Sequence, residues 1–129
     1  MPYPADYKYT KEHEWIKADG TSATIGITSY AQDSLGDIVF VELPQVGSEI
    51  TAGKTFGTVE SVKAVSDLFA PATGTVTEVN GELATAPEKI NKDAHSAWMI
   101  KLTLKNPGEL NGLLSAADYE KFVAAEGGH

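Results

Sequence analysis

Lys63 stands at the centre of the segment VESVKAVSD, with strand-like residues on both sides. Acidic residues lie three positions before it, at Glu60, and four positions after it, at Asp67. No Gly, Asn or Pro marks the turn that must reverse the chain here, although tight hairpin turns usually contain one of them. Another enzyme can reach a primary amine at a hairpin tip, so the pattern favours an attachment point. The alternative is an ordinary exposed lysine, which describes most lysines in proteins.

Phosphate binding, metal binding and hydrolysis have weaker support than attachment. The segment GSEITAGKT is similar to a phosphate-binding loop, but five residues separate Gly47 from Gly53 where that motif has four. His13, His95 and His129 lack the HExxH spacing of a metal site. No serine lies in a G-x-S-x-G elbow, so hydrolase chemistry has little support. We therefore expect no catalytic residue and no metal site.

The composition describes a small acidic domain. Of the 129 residues 42% are hydrophobic, enough for one core, and the formal net charge is −8. The electrostatic field of a chain with this negative charge repels nucleic acid and anionic lipid and attracts basic protein surfaces. The absence of cysteine excludes a disulfide framework and a thiolate nucleophile. No stretch has the length of a membrane span, and MPYPADYKYT lacks a signal peptide's apolar run, so we expect a soluble intracellular protein.

Regular alternation of apolar residues predicts several short strands. In TSATIGIT the apolar residues Ala23, Ile25 and Ile27 share one face, whereas DIVFVEL alternates less cleanly because nearly every residue is apolar. Turn residues separate these runs from four further strand-like segments, which are TFGTVESV, AVSDLF, GTVTEV and AWMIKLTL. Many short strands with frequent turns are typical of a small sandwich or barrel.

Two helices interrupt this β pattern. The segment SYAQDSLG predicts a helix of one to two turns, with Ser29 as its N-cap and Gly36 as its C-terminal stop. Near the end, SAADYEKFVAAEG predicts a longer helix capped by Ser115, with an apolar stripe that includes Tyr119. We expect this last helix to cover one end of the sheets.

The segments HEW, AQDSLGD and ESVKAVSD, in this order, resemble the H proteins of the glycine cleavage system, and the resemblance covers essentially the whole chain. Those proteins carry lipoic acid in amide linkage to a lysine. The resemblance implies a mostly β fold, a lipoyl/biotinyl-type barrel-sandwich hybrid of two small antiparallel sheets with a short helix after the first strands and a C-terminal helix. It implies a single carrier domain over residues 1–129, with the lipoyl hairpin at about 55–70 and the C-terminal helical segment at about 106–126.

The resemblance also assigns the residues around the attachment point. Lys63 becomes the lipoyl-bearing residue, and Glu60, Gly47 and Gly74 become recognition residues for the enzyme that attaches the lipoyl group. The alternative for both glycines is a turn that requires a positive φ.

The resemblance also implies a second group of residues, which bind the lipoyl-lysine arm after it has accepted an aminomethyl group from glycine. The loaded aminomethyl arm carries an ammonium, for which carboxylates in a cleft are suitable partners. By resemblance the candidates are Glu14, Asp67, Ser34 and Glu12, of which Glu14 and Asp67 form the preferred pair. The alternative is an acidic surface that only steers partners, and we favour it for Glu12.

The function implied by the resemblance is that of a carrier without catalytic activity. It would carry the aminomethyl group of glycine on the lipoyl-lysine arm. The implied partners are glycine decarboxylase (the pyridoxal-phosphate P protein), aminomethyltransferase (the T protein), dihydrolipoamide dehydrogenase (the L protein), and a lipoate ligase or octanoyl/lipoyl transferase. We expect a monomer in the bacterial cytoplasm, or in the mitochondrial matrix if the chain is a mature form, with no nucleic-acid or membrane partner.

Four alternatives differ in their sequence requirements. A lipoyl domain of a 2-oxoacid dehydrogenase tends to have DKA at its lysine and lacks the HEW segment. A biotin carrier flanks its lysine with methionines, whereas Val62 and Ala64 flank Lys63. A Schiff-base enzyme would need a cluster of activating groups around the lysine. A lipoyl relay, which donates lipoate to other complexes, remains open as an added role.

One loop departs from the family pattern. The family reads Asp-Pro-Tyr-Gly where this chain has KDAHSAW, with Ala94, His95, Ser96 and Ala97. We therefore expect a differently shaped loop there.

Overall fold

The computed structural model of the chain describes residues 3–127, with side chains for residues 3–125. Its strands are β1 Lys8–Tyr9, β2 Glu14–Asp19, β3 Ser22–Ile27, β4 Ile38–Glu42, β5 Glu49–Ile50, β6 Thr55–Ser61, β7 Val65–Phe69, β8 Gly74–Val79 and β9 Ile100–Leu104. Its α-helices are α1 Ser29–Leu35, α2 Glu82–Thr85, α3 Lys89–Lys92 and α4 Ala116–Gly127, and a 3₁₀ helix spans Pro107–Gly112. None of the helices in this range has the length and apolar content of a membrane span.

The strands form two antiparallel sheets. A six-stranded sheet has the order β1-β2-β3-β9-β8-β5, and a three-stranded sheet has the order β4-β6-β7. Helix α1 follows the first three strands and α4 ends the described part of the chain. The predicted architecture of two antiparallel sheets, an early short helix and a C-terminal helix is therefore confirmed.

The core lies between the two sheets. Ala23, Ile25 and Ile27 of β3 are all buried, as the alternation in TSATIGIT predicts. From the smaller sheet, Val59 and Leu68 are buried in the same apolar cluster. Each such side chain contributes about 1.5–3 kcal/mol by leaving water. This core fixes the three-stranded sheet, and with it the hairpin that carries Lys63.

Strand β4 contains a β-bulge that the sequence pattern does not predict. Ile38 pairs with Ser61 and Phe40 pairs with Glu60, so Val39 is an extra residue opposite a continuous partner strand. The alternation shifts at this point, and Val39 and Phe40 are both about half exposed, at 50% and 52%. The bulge therefore turns two large apolar residues of DIVFVEL outward.

Helix α1 begins one residue earlier than predicted, and the expectation that Ser29 is the N-cap is wrong. Thr28 has the extended backbone of a cap, and its Oγ1 accepts a hydrogen bond from Ala31 N at 3.2 Å. Ser29 already belongs to the helix, and its N–H donates to His95 Nε2 at 3.2 Å. The predicted stop at Gly36 is confirmed, since Gly36 has φ 82° and donates to the Gln32 carbonyl.

Helix α4 closes one end of the molecule through a second apolar cluster. Ser115 Oγ accepts from Asp118 N at 3.2 Å, which confirms the predicted cap. Tyr119 is fully buried, stacks on Tyr9 with ring centroids 4.8 Å apart, and belongs to the same cluster as Trp15. The helix thus holds the first strands, including the start of β2, in place.

Candidate functional site

The tip that carries Lys63 is a tight turn between β6 and β7, organised by the Ser61 hydroxyl. Ser61 N donates to the Ala64 carbonyl at 2.8 Å. Ser61 Oγ in turn accepts from Lys63 N at 3.2 Å and from Ala64 N at 3.1 Å. Within residues 3–127 the only non-glycine residue with a positive φ is His13, so this turn needs no glycine or asparagine. Sequence reasoning missed Ser61, although a serine just before a turn is a known signal.

The tip rests on the junction between α1 and β4. Val62 N donates to the Asp37 carbonyl at 3.0 Å. Beside it, a Cβ placed on Gly36 would lie 3.3 Å from Lys63 Cε, so the lysine stem passes directly over this glycine. Gly36 therefore both ends α1 and leaves space for the lysine. The side chain of Lys63 remains exposed to solvent.

Asn91 of α3 holds that junction from the other side. Its Nδ2 donates to the Gly36 carbonyl at 2.8 Å and to Gln32 Oε1 at 2.9 Å. Its Oδ1 accepts from Ile38 N at 2.8 Å. One side chain thus satisfies backbone groups on both sides of the junction, which would otherwise be left without partners. No local sequence pattern could have linked Asn91 to Lys63.

The outer face of the three-stranded sheet, next to the tip, carries apolar and acidic side chains. Glu60 lies between Phe40 on β4 and Val65 on β7 in one cross-strand row. In the next row, Thr58 lies between Glu42 and Asp67. Val65 is 66% exposed and Val62, in the turn, is 70% exposed. Among the ion pairs formed by residues 3–127, none involves Glu42, Glu60 or Asp67.

Glu14 is the one buried carboxyl of the candidate site, with only 1% of its surface exposed. Thr10 Oγ1 donates to Glu14 Oε1 at 2.6 Å, and Phe69 N donates to Oε2 at 3.1 Å. Burial raises the pKa of Glu14 to about 7, because the two hydrogen bonds offset only part of the desolvation. The carboxyl therefore links the first strands to the end of β7 and titrates near neutral pH.

The other residues implied in docking differ from Glu14 in being exposed. Asp67 is exposed on the outer sheet face, and Ser34 is exposed on α1, two residues before Gly36. No hydrogen bond within residues 3–127 joins Glu14 to Asp67. Glu12 is exposed and borders a cleft of about 410 Å³, whose lining does not include Lys63. Within residues 3–127 no hydrogen bond joins any two of these four residues, and the charge of Glu12 contributes to the raised pKa of Glu14.

Backbone geometry accounts for both glycines of the implied recognition set. Gly47 has φ 93°, a conformation that favours glycine, and its N–H donates to the Val76 carbonyl at 2.8 Å. For Gly74 the positive-φ interpretation is wrong. A Cβ at Gly74 would instead collide with the Thr103 carbonyl oxygen of the neighbouring strand.

The histidines within the described range take structural roles. His13 Nδ1 lies 2.7 Å from the Tyr119 hydroxyl, which also lies 2.8 Å from Thr28 Oγ1. His95 accepts from Ser29 N, and its carbonyl accepts from Tyr7 at 2.9 Å. No group of three potential metal ligands occurs within residues 3–127, and His129 lies outside the described residues.

The loop that departs from the family pattern packs against the first strands. The Ala94 carbonyl accepts from Trp15 Nε1 at 3.1 Å, and Ala94 is buried. Together with the contacts of His95, this bond fixes the loop to the aromatic cluster under α4. The loop therefore supports the fold on the side of β2.

Comparison with known proteins identifies the family. A family model described as Glycine cleavage H-protein matches residues 7–126. A glycine cleavage system H protein of Koribacter versatilis is 73% identical over 129 residues, and one of Acidobacterium capsulatum is 64% identical over 129 residues, in both cases over 100% of the two chains.

A solved structure is similar as well. The crystal structure of a glycine cleavage system H protein from Mycobacterium marinum has a TM-score of 0.85 and 38% sequence identity, and it covers 97% of this chain and 99% of that chain. This likeness confirms the predicted lipoyl-type barrel-sandwich fold. The chain therefore belongs to the glycine cleavage H-protein family, the lipoyl-bearing carrier components of the glycine cleavage system.

Proposed function

We propose that Lys63 carries lipoic acid in amide linkage and that the chain is the non-catalytic carrier of the glycine cleavage system. The observation that supports this most directly is the tip itself: an exposed lysine whose backbone N–H is held by Ser61 and whose stem passes over Gly36. The amine is free to react while the backbone beneath it is fixed. When attached, the lipoyl group supplies the dithiolane chemistry that accepts and releases the aminomethyl carbon of glycine.

Recognition by the attaching enzyme is proposed to use Glu60 directly. Glu60 is exposed on β6, next to the tip, and its outer-face neighbours are Phe40 and Val65. Gly47 and Gly74 would act only through the backbone shape that they permit, since neither presents a side chain. Loss of the Glu60 charge should therefore slow attachment without altering the fold.

Glu14 and Asp67 are proposed to receive the ammonium of the loaded arm at successive distances from the tip. At about 3.3 Å of strand per residue, Asp67 lies roughly 7 Å and Phe69 roughly 13 Å beyond Val65, where β7 begins after the tip. The carboxyl of Glu14 sits at Phe69 N, beyond Asp67. Glu14 is buried, so the ammonium would act on its carboxyl through charge attraction, and because the pKa of Glu14 is about 7, an approaching ammonium would favour loss of its proton. Ser34 and Glu12 have weaker geometric support, and Glu12 fits an acidic steering role.

The proposed partners are the glycine decarboxylase, the aminomethyltransferase and the dihydrolipoamide dehydrogenase, together with a lipoate ligase or octanoyl/lipoyl transferase. The chain would present the same arm to each enzyme in turn, and tethering raises the local concentration of the arm at each docked site. The net charge of −8 favours partners with basic surfaces around their active-site entrances. The bacterial relatives support the cytoplasm as the compartment.

Exchange of bicarbonate with the carboxyl carbon of glycine tests this function. The lipoylated chain should support the exchange with purified glycine decarboxylase, whereas the unmodified chain and Lys63→Arg should not. A lipoylated chain that fails to support the exchange, but passes its lipoyl group to other complexes, would favour the relay role instead.

A further inference from the structure

Four large apolar side chains are exposed in the turn that carries Lys63 and in the two strands that flank β6. Val39 and Phe40 come from the bulge in β4, Val62 from the turn and Val65 from the start of β7, and each is at least 50% exposed. Glu60 lies between Phe40 and Val65 in the same row. We call these five residues the tip patch. Several exposed apolar residues grouped beside charged residues are typical of interaction sites, whereas single exposed apolar residues are not.

We propose that the tip patch is the docking surface for the enzyme that acylates Lys63, and that this enzyme meets it with an apolar pocket bordered by Lys or Arg side chains. The proposal rests on the proposed function, since it takes Lys63 to be the acylated residue. It assigns recognition to two uncharged side chains, Phe40 on β4 and Val65 on β7, which lie outside the turn that carries Lys63.

The short reach of the Lys63 side chain favours the acylating enzyme over the other possible partners of the tip patch. The Lys63 amine sits on a four-carbon stem, so its reach from the backbone is roughly 6 Å. Part of that stem lies over Gly36. An enzyme that acts on the amine must therefore contact the surface directly around the tip. Once an acyl chain extends beyond the amine, other enzymes can react with its far end without covering the patch.

The charges of the same face indicate the border of the partner's pocket. Glu42, Glu60 and Asp67 all project from the outer sheet face, and none forms an ion pair within residues 3–127. A carboxylate between two apolar side chains is best matched by a cation between two apolar pockets. Such a contact weakens as salt concentration rises, because exposed charges are screened.

The acylation step requires only the amine from this chain. Lys63 Nζ, as the neutral amine, attacks the carbonyl carbon of an octanoyl or lipoyl group that the enzyme holds as an adenylate or thioester. The N–C bond forms, the bond from that carbon to the leaving phosphate oxygen or sulfur breaks, and Nζ releases one proton. No oxidant or reductant is consumed.

The test compares the wild-type chain, a test variant and a control variant, all without a lipoyl group at the start. Each is incubated with a purified lipoate ligase, lipoate and ATP, and acylation is followed by intact mass. The test variant is Phe40→Thr/Val65→Thr, in which the β-branched threonines suit a strand. The control is Val46→Thr, because Val46 is 63% exposed on the loop after β4 and lies outside the patch. We expect kcat/KM to fall about tenfold or more for the double variant, since it removes two exposed apolar side chains that the enzyme would bury on docking, and to stay within about twofold of wild type for the control.

The outcomes separate this proposal from the proposed function. No acylation of the wild-type chain at Lys63 would overturn both. Normal acylation of Phe40→Thr/Val65→Thr, or an equal loss in Val46→Thr, would overturn the docking surface alone. Fully lipoylated double variant, prepared by long incubation, should support glycine–bicarbonate exchange at the wild-type rate, and a selective loss there would assign the patch to the decarboxylase instead. If the double variant unfolds at lower urea, Val65→Thr alone serves, because it keeps the side-chain shape.

Discussion

We expect the stability of the wild-type chain to depend on pH between 4.5 and about 7, and replacing Glu14 with glutamine should remove most of that dependence. Burial raises the pKa of Glu14 from its ordinary 4.5 to about 7 in the folded chain. Over that range the unfolded chain releases this proton while the folded chain retains it, so the free energy of unfolding falls as pH rises. It is highest below pH 4.5 and levels off above about pH 7, where both forms are ionised.

The size of this effect follows from the pKa difference. A difference of about 2.5 units, from 4.5 to about 7, corresponds to about 3 kcal/mol at 1.36 kcal/mol per unit. Glutamine keeps the shape of a protonated glutamate. Its Oε1 can accept from Phe69 N, and its Nε2 can donate to Thr10 Oγ1 with the direction of that bond reversed, so both contacts keep a partner without an ionisable group. The variant should match wild type at the acidic end and exceed it by about 3 kcal/mol above pH 7.

Urea unfolding at a series of pH values measures this difference directly. Glu78→Gln is the matched control, because Glu78 is exposed and is not among the groups that shift the pKa of Glu14, and its stability curve should run parallel to that of wild type. If the curves of Glu14→Gln and wild type also ran parallel from pH 4.5 to above 7, the buried carboxyl would not be retaining a proton, and the reasoning would be refuted.

Three further substitutions test the support beneath the lysine. Ser61→Ala removes the acceptor for Lys63 N and Ala64 N and should cost about 1 kcal/mol in urea unfolding, with faster amide exchange at residue 63; unchanged exchange would show that the turn does not depend on the hydroxyl. Asn91→Ala leaves the Gly36 carbonyl and the Ile38 N–H without partners and should lower the free energy of unfolding by about 2–3 kcal/mol. A loss below about 0.5 kcal/mol would show that Asn91 does not hold the junction between α1 and β4. Gly36→Ala forces alanine into a positive-φ conformation that essentially only glycine adopts, and it crowds the lysine stem, so it should cost about 1–3 kcal/mol and slow acylation. An unchanged acylation rate would show that Gly36 does not affect the reactivity of Lys63.

The sequence predicted the elements whose pattern is local. The alternation of Ala23, Ile25 and Ile27 and the helix stop at Gly36 depend on neighbouring residues, and both are confirmed. The bulge at Val39 could not be predicted from DIVFVEL, because every register of that run places apolar residues on both faces. The cap of α1 was wrong by one residue because Thr28 and Ser29 have equivalent side chains for capping.

Prediction of the site from sequence had a similar limit. The pattern around Lys63 identified an accessible amine, and the resemblance supplied its cargo. Residues that support the amine from a distance, such as Asn91, carry no local signal, because their importance comes from contacts more than fifty positions away in the chain. The burial of Glu14 and the exposure of Asp67 could not be predicted either, because spacing along the sequence does not show which carboxylate is buried.

The central claim is that Lys63, alone among the ten lysines of the chain, accepts the lipoyl group. Intact mass after incubation with lipoate ligase, lipoate and ATP, followed by peptide mapping, measures this directly. We predict a single lipoyl increment on the peptide that contains Lys63, and none in Lys63→Arg under the same conditions. An unmodified wild-type chain, or an increment on another lysine, would contradict the account.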